Sequence, residues 1–575
     1  MELNKQNIKK KIVIREFVSL KKSMLAGMLI WASFSNILSA QVYYRFAVYF
    51  TDKGINSPYS IENPSQFLSQ RAIERRARYN IAITEADIPV YPAYLNGIAS
   101  ISSDIKIVNR SRWFNFAMIG TYDSSLVTAI QVLPYVSEVT LLYRGSYPLK
   151  PNQGAAPTSG TKSVGGDISS LNYGSAKIQN EMIGVDYLHR KGYLGQDMHI
   201  AVLDAGFKNV NLIQAFDHLR NDQRILGTWD FVANDSSVYE DNSHGTNVLS
   251  CMAAFIDGKM LGTAPLASYW LLRTEDAATE TIIEEYNWLC GAEFADSVGA
   301  DLINSSLGYT TFDGGIGDHT YADLNGNTAI ATKAADIAAG KGILVVNSAG
   351  NSGNSGWKYI GVPADGDSVL AVGAVRSDRE KAGFSSFGPS ADGRIKPNVA
   401  AMGQGSIVVG TMGEITPANG TSFSGPIMCG AVACFWQKYR DSNNMEIIRK
   451  VEKSASLFSS PNDALGYGIP NFGVADMIMS QVNFEDYFLN QELKIYPNPT
   501  GENTLYVDYY AQYSEPILLQ IHNAKGKRIY SQEIQVHQKT FNTFTIAIEN
   551  RFSNGIYTLT IHSSSHTFSA KFVKA

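Results

Sequence analysis

The sequence predicts an α/β domain built on a parallel sheet, preceded by a small α+β unit and followed by a small β-sandwich. Three observations carry this. From about residue 176 to 480, short continuous apolar runs alternate with helical segments, as strands buried on both faces require. From 41 to about 144 the elements read β-α-β-β-α-β, the order of a ferredoxin-like split unit. From about 484 to the end, short alternating stretches are separated by turn signals, the pattern of a small sandwich.

The chain has 575 residues, enough for three or four units. Its 45% hydrophobic and 18% charged composition belongs to a globular protein rather than a disordered one. A net charge of -5 argues against nucleic acid as the main partner. At the N-terminus, Lys21 and Lys22 precede the apolar run 24–31, and Leu38-Ser39-Ala40-Gln41 follows. This reads as a secretory signal over 1–40 cleaved after Ala40, the alternative being a membrane anchor. No later segment is apolar enough to cross a bilayer. The four cysteines, Cys251, Cys290, Cys429 and Cys434, are expected to be small buried hydrophobes rather than a disulfide framework.

In the first unit, 43–50, 105–109, 114–121 and 136–143 read as strands, and 64–79 and 124–133 as helices. Arg71, Arg75, Arg76 and Arg78 are expected to form a solvated helix face. Residues 147–170, rich in Gly, Pro, Ser and Thr, read as an exposed linker open to cleavage. In the central domain, 198–203, 268–272, 300–303, 342–346 and 369–375 read as buried parallel strands. Residues 246–256, 278–297 and 328–340 read as the helices between them. In the last unit, 505–509, 517–522, 544–548, 555–559 and 571–574 read as strands.

Open α/β sheets gather their sites at the carboxyl ends of strands, which directs attention to the residues found there. Asp204 ends the first strand of the domain, and His244 opens a helix about 40 residues on. Asn351 follows a later strand, and Gly420-Thr421-Ser422-Phe423-Ser424-Gly425-Pro426 enters a long apolar helix, with the proline expected in its first turn. A serine is a weak nucleophile without a base, which His244 can supply, while Asp204 would hold the imidazole tautomer. Either Ser422 or Ser424 would then sit where helix N–H groups favour negative charge. The Asn351 side-chain amide and the Ser422 N–H are candidate oxyanion donors.

These segments, with Ile303-Asn-Ser-Ser-Leu-Gly308 and Ser348-Ala-Gly350-Asn351, resemble the subtilisin family of serine endopeptidases over roughly residues 170–480. The order Asp, His, Ser is that family's order. The resemblance implies a subtilisin-like three-layer domain over 171–480, with Asp204, His244 and Ser422 as the triad, Asn351 as oxyanion donor, and Ser422 rather than Ser424 as nucleophile. It implies substrate binding by Ser306, Leu307, Gly308, Gly350 and Gly361, the backbone of 306–308 pairing with the substrate strand. Ala205, Asn247, Asn398 and Ala400-Ala401-Met402-Gly403 depart from the family pattern without removing a catalytic group.

The unit over 41–146 resembles the family's inhibitor-type propeptide, which would place a maturation site within 147–170. The segment 484–575, with Tyr496-Pro-Asn-Pro-Thr500, resembles the sorting domain of type IX secretion cargo. The implied product is a secreted or cell-surface serine endopeptidase made as a zymogen. Its partners would be polypeptide substrates, its own propeptide and the type IX secretion machinery, with no stable membrane span in the mature form. The alternative is an inactive surface binding protein on the same scaffold. No cofactor or metal is required. Calcium is a candidate only through acidic stretches such as Asp365-Gly366-Asp367 and 313–318, which are expected to be solvated turns.

Overall fold

The computed structural model describes residues 42–146, 171–480 and, with short breaks, 494–574. The expected signal segment over 1–40 and the expected linker over 147–170 lie outside the described residues. The N-terminal unit contains β1 (Val42–Phe50), α1 (Gln70–Arg78), α2 (Pro92–Ala99), β2 (Lys106–Ser111), β3 (Phe116–Thr121), α3 (Leu126–Gln131) and β4 (Val136–Ser146). Its antiparallel sheet has the order β2-β3-β1-β4, as a split βαβ unit requires. Period-two alternation sends Phe46, Val48 and Phe50 toward helices α2 and α3, while Ala47, Phe116 and Met118 pack on the central domain.

The expected helix over 64–79 is two pieces. A single 3-10 turn at Pro64–Gln66 ends before Ser69, whose hydroxyl caps α1 by accepting from the Ala72 N–H. The expected solvated arginine face is also corrected. Arg75 and Arg76 are buried, and both pair with Asp296 of the central domain. Arg76 also forks onto Asp87, and Arg71 pairs with Asp301. Arg78 is exposed and Arg71 half-buried.

The central domain is a seven-stranded, wholly parallel sheet. Its strands are β5 (His199–Asp204), β6 (Ile225–Asp230), β7 (Ser268–Arg273), β8 (Leu302–Ser305), β9 (Leu344–Ser348), β10 (Val369–Val375) and β11 (Val399–Met402), in the spatial order β11-β10-β9-β8-β5-β7-β6. Alternate residues bury on opposite faces. Ile200, Val202, Leu344 and Val346 pack under α4 (His244–Ala253) and α7 (Thr421–Lys438). Ala201, Leu203, Ile303 and Val345 pack under α5 (Ile283–Val298) and α6 (Ile330–Gly340). The result is the expected three-layer α/β domain. A hairpin of β12 (Gln404–Val409) and β13 (Ile415–Asn419) leads straight into α7.

Helix α7 begins five residues before Pro426, so the proline lies in the second turn rather than the first. Every residue from Thr421 to Trp436 is buried, and close packing there depends on small residues. A Cβ on Gly430 would stand 2.0 Å from the Thr263 hydroxyl and 3.1 Å from the Ala264 N–H. All four cysteines are buried and free. Burial pushes the thiols of Cys251 and Cys429 well up, so they behave as apolar groups.

The C-terminal unit is a sandwich of two antiparallel sheets. One holds β14 (Lys494–Tyr496), β15 (Thr504–Ala511) and β18 (Thr540–Ala547). The other holds β16 (Glu515–Asn523), β17 (Arg528–Val536), β19 (Gly555–His562) and β20 (Thr567–Lys574). Leu505, Val507, Ile517, Leu519, Leu559 and Phe572 form the core between them. Among the described residues no helix is long and apolar enough to cross a membrane.

Candidate active site

Asp204 is the last residue of β5 and is fully buried. Its Oδ1 accepts from the Ala205 N–H at 2.8 Å and lies 2.8 Å from His244 Nδ1. His244 is the first residue of α4, with its side chain about one third open to solvent (34%). Two glycines let these segments approach. A Cβ on Gly245 would stand 2.4 Å from the Gly206 carbonyl, and one on Gly206 would stand 2.7 Å from the Asn242 N–H. Gly206 also adopts φ 143°, which favours glycine. Burial opposes charging of the imidazole, but the Asp204 carboxylate and its hydrogen bond outweigh this, so the His244 pKa lies above the ordinary histidine value.

Sequence reasoning missed Arg273, the buried cation that ties these loops together. It ends β7 directly beside Asp204 in register. Its Nε donates to the Ala205 carbonyl at 3.1 Å, and Nη1 reaches Asp230 at 2.7 Å and Asp241 at 3.1 Å. The segments leading from Asp204 and toward His244 are thus held by one guanidinium.

The serine segment is built from the opposite side. Thr421 opens α7, and its N–H and hydroxyl both reach Asn351 Oδ1, at 2.9 and 3.1 Å. Because a backbone N–H can only donate, Oδ1 must face Thr421, which turns the Nδ2 amide away from it. The Thr421 hydroxyl also accepts from the Gly350 N–H at 3.2 Å. Among the described residues, neither Asn351 Nδ2 nor the Ser422 N–H makes an internal hydrogen bond. Ser422 Oγ lies 3.4 Å from the Ser306 carbonyl, and in this resting arrangement no hydrogen bond joins it to His244. The His244 and Phe423 rings are 6.2 Å apart. Ser424 is buried, its hydroxyl donating to the Thr421 carbonyl at 3.0 Å, which leaves it a structural role.

Residues 306–308 follow β8 directly. The Leu307 carbonyl accepts from Asn347 Nδ2 at 3.0 Å, which fixes that residue inward. Gly308 is exposed, and its backbone pairs with nothing among the described residues. Tyr309 and Val362 exchange backbone bonds of 2.9 and 3.1 Å, bringing Gly361 against the same segment. The acidic stretches differ from expectation in one place. Asp365 is buried, with Oδ1 bonded to Thr332 and Oδ2 to the Gly326 N–H, while Asp367 stays outside and pairs with Arg394. Among the described residues no group of three or more His, Cys, Asp or Glu is placed to hold a metal ion.

Residues 195–468 match the Subtilase family, residues 45–155 the Peptidase S8 propeptide domain of Bacteroidota, and residues 494–575 a secretion system C-terminal sorting domain. Subtilisin NAT of Bacillus subtilis subsp. natto and subtilisin E of Bacillus subtilis are each 33% identical over 295 residues, 51% of this chain and 68% of theirs. Subtilisin of Bacillus pumilus is 32% identical over 295 residues, 51% of this chain and 94% of its own. The propeptide makes the protein a zymogen, and the tail is that of type IX secretion cargo, which marks it for the cell surface or the extracellular space. The buried carboxylate–imidazole pair, the serine at the head of α7 and the matches along the chain converge: this protein belongs to the subtilase family of serine endopeptidases.

Proposed function

We propose that the chain is a secreted endopeptidase whose triad is Asp204, His244 and Ser422, with Asn351 and the Ser422 N–H as the oxyanion donors. The observation that carries the reading is the 2.8 Å bond from His244 Nδ1 to a carboxylate that is itself fully buried. That bond leaves Nε2 as the basic nitrogen. Ser422 Oγ turns from the Ser306 carbonyl toward it, gives up its proton and attacks the scissile carbonyl. The oxyanion receives hydrogen bonds from the two unspent N–H donors. His244 then passes the proton to the leaving amine, and water repeats the sequence to release the acyl group from Ser422.

The backbone of Ser306, Leu307 and Gly308 pairs with the substrate strand, and Gly350 and Gly361 line the pocket for the side chain before the scissile bond. In this reading residues 1–40 are a signal peptide, 41–146 the inhibiting propeptide, 147–170 the linker cut on maturation, 171–480 the catalytic domain and 484–575 the sorting domain. The propeptide and the type IX machinery are the partners, beside polypeptide substrates, and neither cofactor nor calcium enters any step.

The test is Ser422→Ala. By analogy with subtilisin itself, loss of the serine lowers kcat by about 10⁶ and loss of one oxyanion donor, here in Asn351→Ala, by about 10²–10³. A fluorophosphonate should label Ser422 in the matured wild type. Undiminished casein cleavage by Ser422→Ala rules the assignment out. Absence of both labelling and cleavage in the wild type points instead to an inactive binding protein.

A further inference from the structure

The nucleophile helix carries one irregularity, and its compensation falls on the nucleophile. Pro426 is the sixth residue of α7. In an α-helix the N–H of residue 426 would bond the carbonyl of residue 422; proline has no N–H, and its ring crowds that carbonyl. The Ser422 carbonyl thus loses its helical partner within a fully buried stretch. It receives a substitute from another element: the Ser306 hydroxyl, itself buried, donates to it at 2.9 Å. Asn304 Nδ2 approaches the same hydroxyl at 3.4 Å, and its donation would turn the hydroxyl proton toward Ser422. The contact is reciprocal, because the Ser306 carbonyl faces Ser422 Oγ at 3.4 Å.

We propose that the side chain of Ser306 is a positioning residue for the nucleophile, acting through the carbonyl that Pro426 leaves free. The inference rests on the reading of Ser422 as the nucleophile and goes beyond the substrate-pairing role of the Ser306 backbone. The peptide plane after Ser422 sets the direction of its Cα–Cβ bond, and with it the arc over which Oγ turns between Ser306 and His244. Thr421, held by Asn351, fixes the chain just before Ser422, and Ser306 fixes it just after. The same residue would offer its backbone to the substrate strand, so that substrate and hydroxyl are registered against one another.

The test compares Ser306→Ala, Pro426→Ala and the double variant in the full-length chain after maturation, with a peptide substrate and active-site titration. Ser306→Ala strands a buried carbonyl and should lower kcat about tenfold, with KM within about twofold of wild type. Pro426→Ala alone should change kcat less than about twofold, since the carbonyl can accept from both donors. In the double variant the new N–H at position 426 restores the helical bond, and kcat should return to within about threefold of wild type. Full kcat in Ser306→Ala, or a loss that Pro426→Ala does not restore, overturns the proposal. If Ser306→Ala fails to mature, recovery of mature enzyme in the double variant reads the same rescue, and its absence refutes it. Fluorophosphonate labelling of the wild type runs alongside. A labelled, active wild type without rescue removes only the positioning role, whereas an unlabelled, inactive one removes the nucleophile assignment itself.

Discussion

Asp296→Asn should loosen the hold of the N-terminal unit on the central domain by two or more powers of ten. Asp296 lies near the end of α5 with no exposed side-chain surface. Its oxygens are met by Arg75 at 2.5 Å, by Arg76 at 2.8 Å and by Arg112 at 2.6 Å, all from the N-terminal unit and all at least nine-tenths buried. The asparagine keeps the shape and removes the charge, leaving three buried guanidiniums with Asp87, Glu293 and backbone carbonyls. Breaking a buried ion pair from one side costs about 3–5 kcal/mol. The lower figure alone raises a dissociation constant about 10²-fold. The assay uses a Ser422→Ala background, so that no self-digestion follows. The 147–170 stretch is cut with an added protease, and loss of the N-terminal unit is timed by gel filtration. Arg78→Ala, on the solvent side of α1, serves as the control and should stay within about 0.5 kcal/mol of wild type. If Asp296→Asn releases the unit no faster than Arg78→Ala does, the network contributes nothing to the hold and the reasoning fails.

Two further outcomes follow from buried charge elsewhere. Burial, with Glu275 and Glu280 adding, pushes Glu284 up to about 10, and burial raises Glu275 to about 8. The folded protein therefore keeps protons that the unfolded chain releases near an ordinary glutamate pKa of about 4.3. Stability should fall as pH rises from there toward 10. Glu284→Gln should flatten this slope and melt above wild type at pH ~9; melting curves that stay parallel from pH ~5 to ~9 would exclude the effect. Arg273→Met leaves Asp230 buried without its cation and should cost about 3–5 kcal/mol in denaturant unfolding, whereas a change below about 1 kcal/mol would show that the guanidinium is not the tie between the Asp204 and His244 loops.

The strands flanking the site were legible because burial on both faces leaves a continuous apolar run, as in Val369–Val375. The edge strand β6 escaped because its residues are mostly half-buried and include Gly227 and Thr228, which break the run. Asp204, His244 and Ser422 stood out through local motifs at one strand end and two helix starts, and the structure brings the first two together. The arginines of α1 were misread because the carboxylates they meet on the central domain lie more than 200 residues on, as Asp296 does from Arg75 and Arg76, although Arg76 also meets Asp87 within its own unit. A charged stripe on a helix carries no local sign of whether water or carboxylate answers it. The contact of the Ser306 hydroxyl with the Ser422 carbonyl was hidden for the same reason, yet a trace of it was present. A proline four residues after Ser422 announces a carbonyl in search of a donor.

The close approach at Gly430 has a consequence for chemistry far from it. From Thr421 to Trp436 helix α7 is buried throughout, so along that length it has no solvent face toward which it can roll or slide to accommodate added bulk. Eight residues separate Gly430 from Ser422, about 12 Å along the axis. The depth at which the hydroxyl meets its surroundings is therefore gauged at that distant seat, where bare backbone rests on Thr263 and Ala264. A single methyl there would act as a shim under the whole rod, displacing Ser422 while leaving every residue around it unchanged.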